Sequence, residues 1–313
     1  MTQPHDVKHT AVLGAGTIGA SWTAWFLARG LSVAVWDPRP EAEDYVRRYI
    51  ADVWSDMSQI GMVAGASPDN WRFCATPEEA VAGAQFVQEN APERLPIKRE
   101  LYARLDDVLG KDAIFASSTS GLMMSDLQVG MKSAARFAVG HPFNPPHLIP
   151  LVEVVGGKDT APETVQWCLS FYNHIGKKAI WIRKEAAGHL ANRLQAALWR
   201  EAISAVVTGL ASVEDVDTAI SAGPGLRWAA MGPHMTFHLG GGEGGITHML
   251  DQFKPAFEAW WATMTTPEFT EDTCRQIIDG VMAEAKGRSI AELTKERDAV
   301  LLPLLKIVAE RHR

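Results

Sequence analysis

Apolar residues come in short unbroken runs through the first part of the chain and at helical spacing through the rest. Runs at 10–13, 31–36, 70–75, 84–89, 113–117, 136–140, 148–155 and 178–183 are bounded by glycine, proline or polar residues. Continuous runs, rather than strict alternation, are the mark of strands covered on both faces. Helical patterns fill 20–29, 40–61, 77–82 and 95–109, so strand and helix alternate as in a doubly wound, mainly parallel α/β sheet. Beyond residue 183 the strand pattern stops. Leu190, Leu194, Leu198, Ala202 and Val206 recur every four residues and predict a long helix over 187–210. More helices are predicted at 213–222, 245–264, 270–286 and 290–309, with a glycine-rich break at 240–245.

The first strand runs straight into Gly14, Gly16 and Gly19, and an apolar helix follows. A second strand then ends in Asp37. Strand, G-x-G-x-x-G, helix, strand and acid in this order predict a Rossmann-type dinucleotide site. Gly14 makes the turn, Gly16 lets a pyrophosphate reach the helix start at Thr17 and Ile18, and Gly19 lets helix and strand pack. Asp37 is expected to accept from the adenosine ribose and to repel a 2′-phosphate, which favours NAD over NADP; Arg39, two residues on, weighs the other way. The expected architecture is therefore an NAD-binding domain over 1–184, followed by an all-helical domain over 185–313 for substrate binding and dimerisation.

Polar residues concentrate over 117–157. A strand delivers His141 into a loop stiffened by Pro142, Pro145 and Pro146, and the returning apolar strand carries one carboxylate, Glu153. A chain reversed through that loop brings Glu153 beside the imidazole. The pair then reads either as a positioned general base or as a core histidine near an edge-strand acid. Ser120, at a strand end, is either a donor to a substrate oxygen or a helix cap. Glu93 and Lys98 are within reach of a cofactor or form a solvated pair, and Asn192 lies on the long helix.

Length and composition limit the rest. The 313 residues suit two domains. A net charge of −7 without a basic stripe argues against nucleic acid. Three scattered cysteines fit neither a metal site nor a disulfide framework, and no signal peptide or membrane span is evident, so a cytoplasmic protein without a metal is expected. Tryptophan is in excess, at eleven against four tyrosines.

The succession VLGAGTIG, WDPRP, ENAPERLPIKR, SSTSGL, GHPFNPPHLIPLVEVV, ANRL and MGP resembles the 3-hydroxyacyl-CoA dehydrogenase superfamily over nearly the entire chain. The resemblance implies an NAD-dependent oxidoreductase with His141 and Glu153 as the catalytic pair. It also implies Ser120 and Asn192 as ligands of the substrate oxygen, with Glu93 and Lys98 at the cofactor.

The segment between Asp37 and Asn70 is shorter than in the acyl-CoA enzymes and lacks their lysine-rich insert, so a free hydroxy acid is expected rather than a thioester. ALWREA, GLRWAAMGP, HLGGGEGG and GRSIAELTKERD are similar to the branch that oxidises the 3-hydroxyl of L-carnitine. The rival readings are an L-gulonate 3-dehydrogenase or another 3-hydroxy acid enzyme, and a crystallin-like structural protein that binds NAD. Trp199, Trp228, Trp260 and Trp261 supply rings suited to a quaternary ammonium. Phe143, Arg193 and Arg227 complete the expected substrate contacts, and a homodimer is expected.

Overall fold

The computed structural model describes residues 1–311. Two compact units divide between Asn192 and Arg193, against an expected boundary after residue 184.

The first unit is an eight-stranded sheet: β1 (His9–Leu13), β2 (Ser32–Trp36), β3 (Trp71–Phe73), β4 (Phe86–Glu89), β5 (Ile114–Ser117), β6 (Phe137–Pro142), β7 (Leu151–Gly156) and β8 (Lys178–Ile182). Their order is β3-β2-β1-β4-β5-β6-β7-β8. All pairs are parallel except β6 with β7. Interleaved are α1 (Thr17–Ala28), α2 (Ala42–Ile60), α3 (Pro77–Val81), α4 (Leu95–Leu105), the single turn α5 (Met124–Leu127) and α6 (Pro162–His174).

The sheet is covered on both faces, as its continuous apolar strands require. On one face Trp22, Phe26, Phe86, Phe171 and Tyr172 form one core, and on the other Leu101, Tyr102, Phe115, Phe137 and Val139 form a second. Consecutive residues of one strand, Phe86 and Val87, serve opposite cores. Helix α4 stops at Leu105, short of its expected length, where the Asp106 carboxylate turns to accept from the amides of Lys132 and Ser133.

The strand order reverses at β1, which is where an open α/β sheet leaves a crevice for ligands. The proline loop between β6 and β7 is held from below by Lys177. Its buried ammonium donates to the carbonyls of Pro146 and Ile149 and lies 3.9 Å from the Trp25 ring centre. Burial, aided by nearby Arg29, holds that lysine well below its ordinary pKa.

The helix α7 (Ala191–Val207) starts later than the apolar spacing suggests, because Gly188 and His189 turn the chain with φ of 74° and 49°. The second unit continues with α8 (Val213–Ser221), α9 (Pro224–Ala230), α10 (Pro233–Gly240), α11 (Gly245–Thr263), α12 (Glu271–Ala285) and α13 (Ile290–Arg311). Helix α8 packs on α12 so tightly that a side chain at Gly280 would strike Val213. Among the described residues no helix is long and apolar enough to cross a membrane.

Candidate active site and dinucleotide groove

The glycine loop between β1 and α1 divides its work among three positions. A β-carbon at Gly14, whose φ is 86°, would sit on the carbonyl of Asn90, and one at Gly19 would collide with the carbonyl of Gly14. A β-carbon at Gly16 would meet nothing within 4 Å. The loop thus closes against the protein at two glycines and opens outward at the third, beside the first turn of α1. That is the shape a pyrophosphate needs at a helix N-terminus. A cleft of about 550 Å³ continues from Gly14 and Gly16 past Trp36, Asp37, Asn90 and Leu101. Thr17 begins α1, with its hydroxyl 3.3 Å from that of Tyr45, and Ile18 packs on the core. The residues present fit a dinucleotide.

Asp37 lies at the cleft with every lone pair in use. Its Oδ2 accepts from the amide of Ala15 at 2.7 Å and from Nη2 of Arg39 at 3.1 Å; Oδ1 accepts from the amide and Nε of Arg39, both at 2.9 Å. Burial works against the anion, but the Arg39 bonds and the Ala15 amide outweigh it and hold the carboxyl below its ordinary pKa. The Arg39 guanidinium that shares both carboxylate oxygens is itself half-exposed at the cleft.

At the carboxyl ends of β4 and β5, Glu93 gathers the 117–121 loop. Its Oε1 accepts from the Thr119 hydroxyl at 2.6 Å, from the amides of Ser120 and Gly121 at 2.9 and 3.0 Å, and from the Ser120 hydroxyl at 3.3 Å. Desolvation opposes the charge on Glu93; Thr119, Lys98 and these amides prevail, and the pKa falls. Lys98, expected near a cofactor, spends its ammonium on the protein. It is 1% exposed, bonded to Glu89 at 2.6 Å and to the Ala91 carbonyl at 3.0 Å, with Glu93 3.8 Å away. It thus fixes the groove wall from beneath.

The antiparallel β6–β7 pair sets His141 directly opposite Glu153 in register. Nδ1 of His141 lies 2.9 Å from Oε2 of Glu153. A carboxylate only accepts, so Nδ1 carries the proton and Nε2 is left with the lone pair. The other oxygen, Oε1, accepts from the amides of Leu190 and Ala191 at 2.9 and 2.8 Å. Although burial penalises the fully enclosed Glu153, His141 and those two amides more than compensate, and its pKa is lowered. Phe143 stands edge-on to the imidazole with ring centres 5.1 Å apart. Asn192 follows the amide that binds Glu153, in the first turn of α7.

Two features of this site have no counterpart in the expectations. One is the amide clamp of Leu190 and Ala191, signalled only by the glycine before the helix. The other is a buried chain beneath the base. There the Tyr172 hydroxyl donates to Gln88 at 2.6 Å, and the Gln88 amide donates to the Ser118 hydroxyl at 2.8 Å and to the Gly140 carbonyl at 3.2 Å.

The remaining expected substrate residues lie in the second unit. Trp199 contacts Phe269, while Trp260 and Trp261 flank Phe257 with ring centres 5.1 and 6.1 Å away. The ring contacts among the described residues of this unit thus fall into two groups rather than one cage. Trp228, Arg193 and Arg227 are exposed.

The NAD-binding domain model of 3-hydroxyacyl-CoA dehydrogenase matches residues 9–186, and the C-terminal domain model of the same enzyme matches residues 188–291. The chain belongs to the 3-hydroxyacyl-CoA dehydrogenase family. It is accordingly an NAD-dependent oxidoreductase. Within the family, the chain is 49% identical over 306 residues to an L-carnitine dehydrogenase of Streptomyces coelicolor, covering 98% of this chain and 96% of that one. An enzyme of the same description from Pseudomonas putida is 43% identical, with 97% and 94% covered. Among solved structures, a 5-formyl-3-hydroxy-2-methylpyridine 4-carboxylic acid 5-dehydrogenase, described as an NAD+-dependent dismutase, superposes with a TM-score of 0.83. It is 29% identical and covers 96% of this family member, which in turn covers 98% of it.

Proposed function

We propose that this enzyme oxidises the 3-hydroxyl of L-carnitine to 3-dehydrocarnitine. The observation that carries the reading is the 43–50% identity to L-carnitine dehydrogenases over nearly the full length of both partners. Gly14, Gly16 and the first turn of α1 would hold NAD, which would supply the acceptor for the hydride of the carbinol carbon.

The chain's own residues supply the rest. His141 takes the hydroxyl proton on Nε2, and Glu153 keeps Nδ1 protonated and stabilises the imidazolium that results. Ser120 and Asn192 hold the reacting oxygen, which is positional catalysis. Asp37 receives the ribose, and Glu93 keeps the Ser120 loop in place beside the cofactor. Phe143 walls the imidazole. Trp199 and Trp228 are assigned to the trimethylammonium group, with Arg193 and Arg227 as the candidate cations for the carboxylate. Only 10 residues separate α2 from β3, which leaves no room for an insert covering a CoA moiety.

The helical unit carries many uncovered apolar side chains, among them Leu210, Ile290 and Val300 at 78%, 80% and 71% exposed. That supports a homodimer, since surfaces of this kind seek a partner. Light scattering should give the mass of two chains, and a monomer would overturn this part.

An NADH absorbance assay across L-carnitine, L-gulonate, free 3-hydroxybutyrate and 3-hydroxybutyryl-CoA tests the substrate. Turnover of L-carnitine above the other three is expected. Turnover of gulonate or the thioester with none of carnitine would overturn the assignment.

A further inference from the structure

His189 lies buried beside the base without a role in the reading above. Its φ of 49° is a left-handed conformation, unusual for a residue with a β-carbon. The turn it makes with Gly188 starts α7 two residues later and aims the amides of Leu190 and Ala191 at Oε1 of Glu153.

The imidazole makes a second connection. Nε2 lies 3.0 Å from the carbonyl oxygen of Thr119, and because a carbonyl only accepts, Nε2 carries the proton and donates. The opposite edge of that same peptide is gripped by Glu93, which accepts from the Ser120 amide at 2.9 Å. The His189 ring also lies 5.2 Å, centre to centre, from the ring of His141. Its Nδ1 is buried without a hydrogen-bond partner.

We infer that His189 is a positioning residue: it ties the Thr119–Ser120 peptide, and with it the Ser120 hydroxyl, to the turn that clamps Glu153. Base and oxygen ligand are thereby set by one hydrogen-bonded frame. The inference rests on the assignment of His141, Glu153 and Ser120 made above. The charge state of the ring suits this place. Burial lowers the pKa of His189, the Thr119 carbonyl opposes that, His141 adds to the lowering, and Glu153 and Glu93 oppose it, with a net fall. A neutral ring does not repel the imidazolium that forms on His141.

The test compares His189→Phe, which keeps the ring volume and loses the donor, with His189→Gln, whose side-chain amide keeps a donor at similar reach. His189→Phe should lower kcat roughly 10- to 100-fold, as sub-ångström misplacement of a catalytic group does, while the Kd for NAD stays within about twofold. Its primary isotope effect, with substrate deuterated at the reacting carbon, should rise because the chemical step becomes rate-limiting. His189→Gln should recover kcat to within about threefold of wild type. If His189→Phe does not fold, His189→Asn, which tolerates the left-handed turn but is too short to reach Thr119, should show the same loss.

A donor-free variant with wild-type kcat and isotope effect overturns the inference, as does a His189→Gln enzyme no better than His189→Phe. His141→Ala, run alongside, separates the two levels. Near-normal turnover there overturns the underlying assignment, whereas its loss beside a fully active His189→Phe enzyme overturns the role of His189 alone.

Discussion

Glu153 and His141 face each other across the antiparallel pair β6–β7, with Oε2 2.9 Å from Nδ1, and the second glutamate oxygen is taken by two backbone amides. Glu153 is therefore surrounded by donors alone, and its charge fixes which imidazole nitrogen carries the proton.

Glu153→Gln keeps the shape and loses that control. The Gln carbonyl still satisfies the amides of Leu190 and Ala191, which leaves its NH2 group facing Nδ1. His141 must then present a lone pair at Nδ1 and carry its proton on Nε2, the wrong tautomer for a base. A loss in kcat of about 10²- to 10⁴-fold is expected, measured as NADH formed at saturating NAD.

His141→Ala removes the proposed base at a distance from the dinucleotide groove, since neither His141 nor its partner Glu153 lines the cleft beside Gly14 and Asp37. Turnover should fall by a similar factor of about 10²–10⁴ while NAD still binds with nearly unchanged affinity by calorimetry. A rate near that of wild type would remove His141 from its role.

Acid should destabilise the protein through its paired carboxylates. Glu153, Asp37 and Glu93 all have lowered pKa values in the folded chain. The unfolded chain titrates them near pH 4, so between that value and the lower folded values it binds more protons than the native state. Their contribution is present in full above about pH 4 and is lost as the pH falls through the folded values. Melting temperatures measured from pH 7 to pH 3 should drop steeply at the acid end, and Glu153→Gln should flatten that drop.

Asp37→Ala should weaken NAD relative to NADP. The substitution removes the proposed acceptor for the ribose hydroxyls and releases the Arg39 guanidinium, which is bound to Asp37 through both carboxylate oxygens. The ratio of kcat/KM for the two cofactors should move toward NADP by roughly tenfold, the effect of one charge-assisted contact. An unchanged ratio would count against Asp37 as the ribose acceptor.

The sheet and the His141–Glu153 pairing were legible because buried parallel strands write themselves as apolar runs, and because two strands joined by a proline loop can hardly avoid being neighbours. The helical unit was harder to read. Helices α9 and α10 are short and start with Pro224 and Pro233, each behind a glycine, yet their apolar residues are too few to show a period. The start of α7 was misplaced because Leu190 keeps the four-residue rhythm although it lies in the turn. Lys98 illustrates another limit: sequence identifies a cation on a helix but not that Glu89, a strand residue with no outward sign of charge pairing, will bury it. Contacts between residues distant in the chain are set by packing, which local pattern does not encode.

Gly16 holds a different kind of information from the glycines on either side. Gly14 and Gly19 are explained by the folded chain itself, whose own carbonyls exclude a side chain at both. At Gly16 the fold offers no objection: the backbone is extended and the space ahead is open. An alanine there should leave the fold as stable as before and be noticed only by the dinucleotide. In one absent methyl group the chain thus reserves a space that its own packing never asks for.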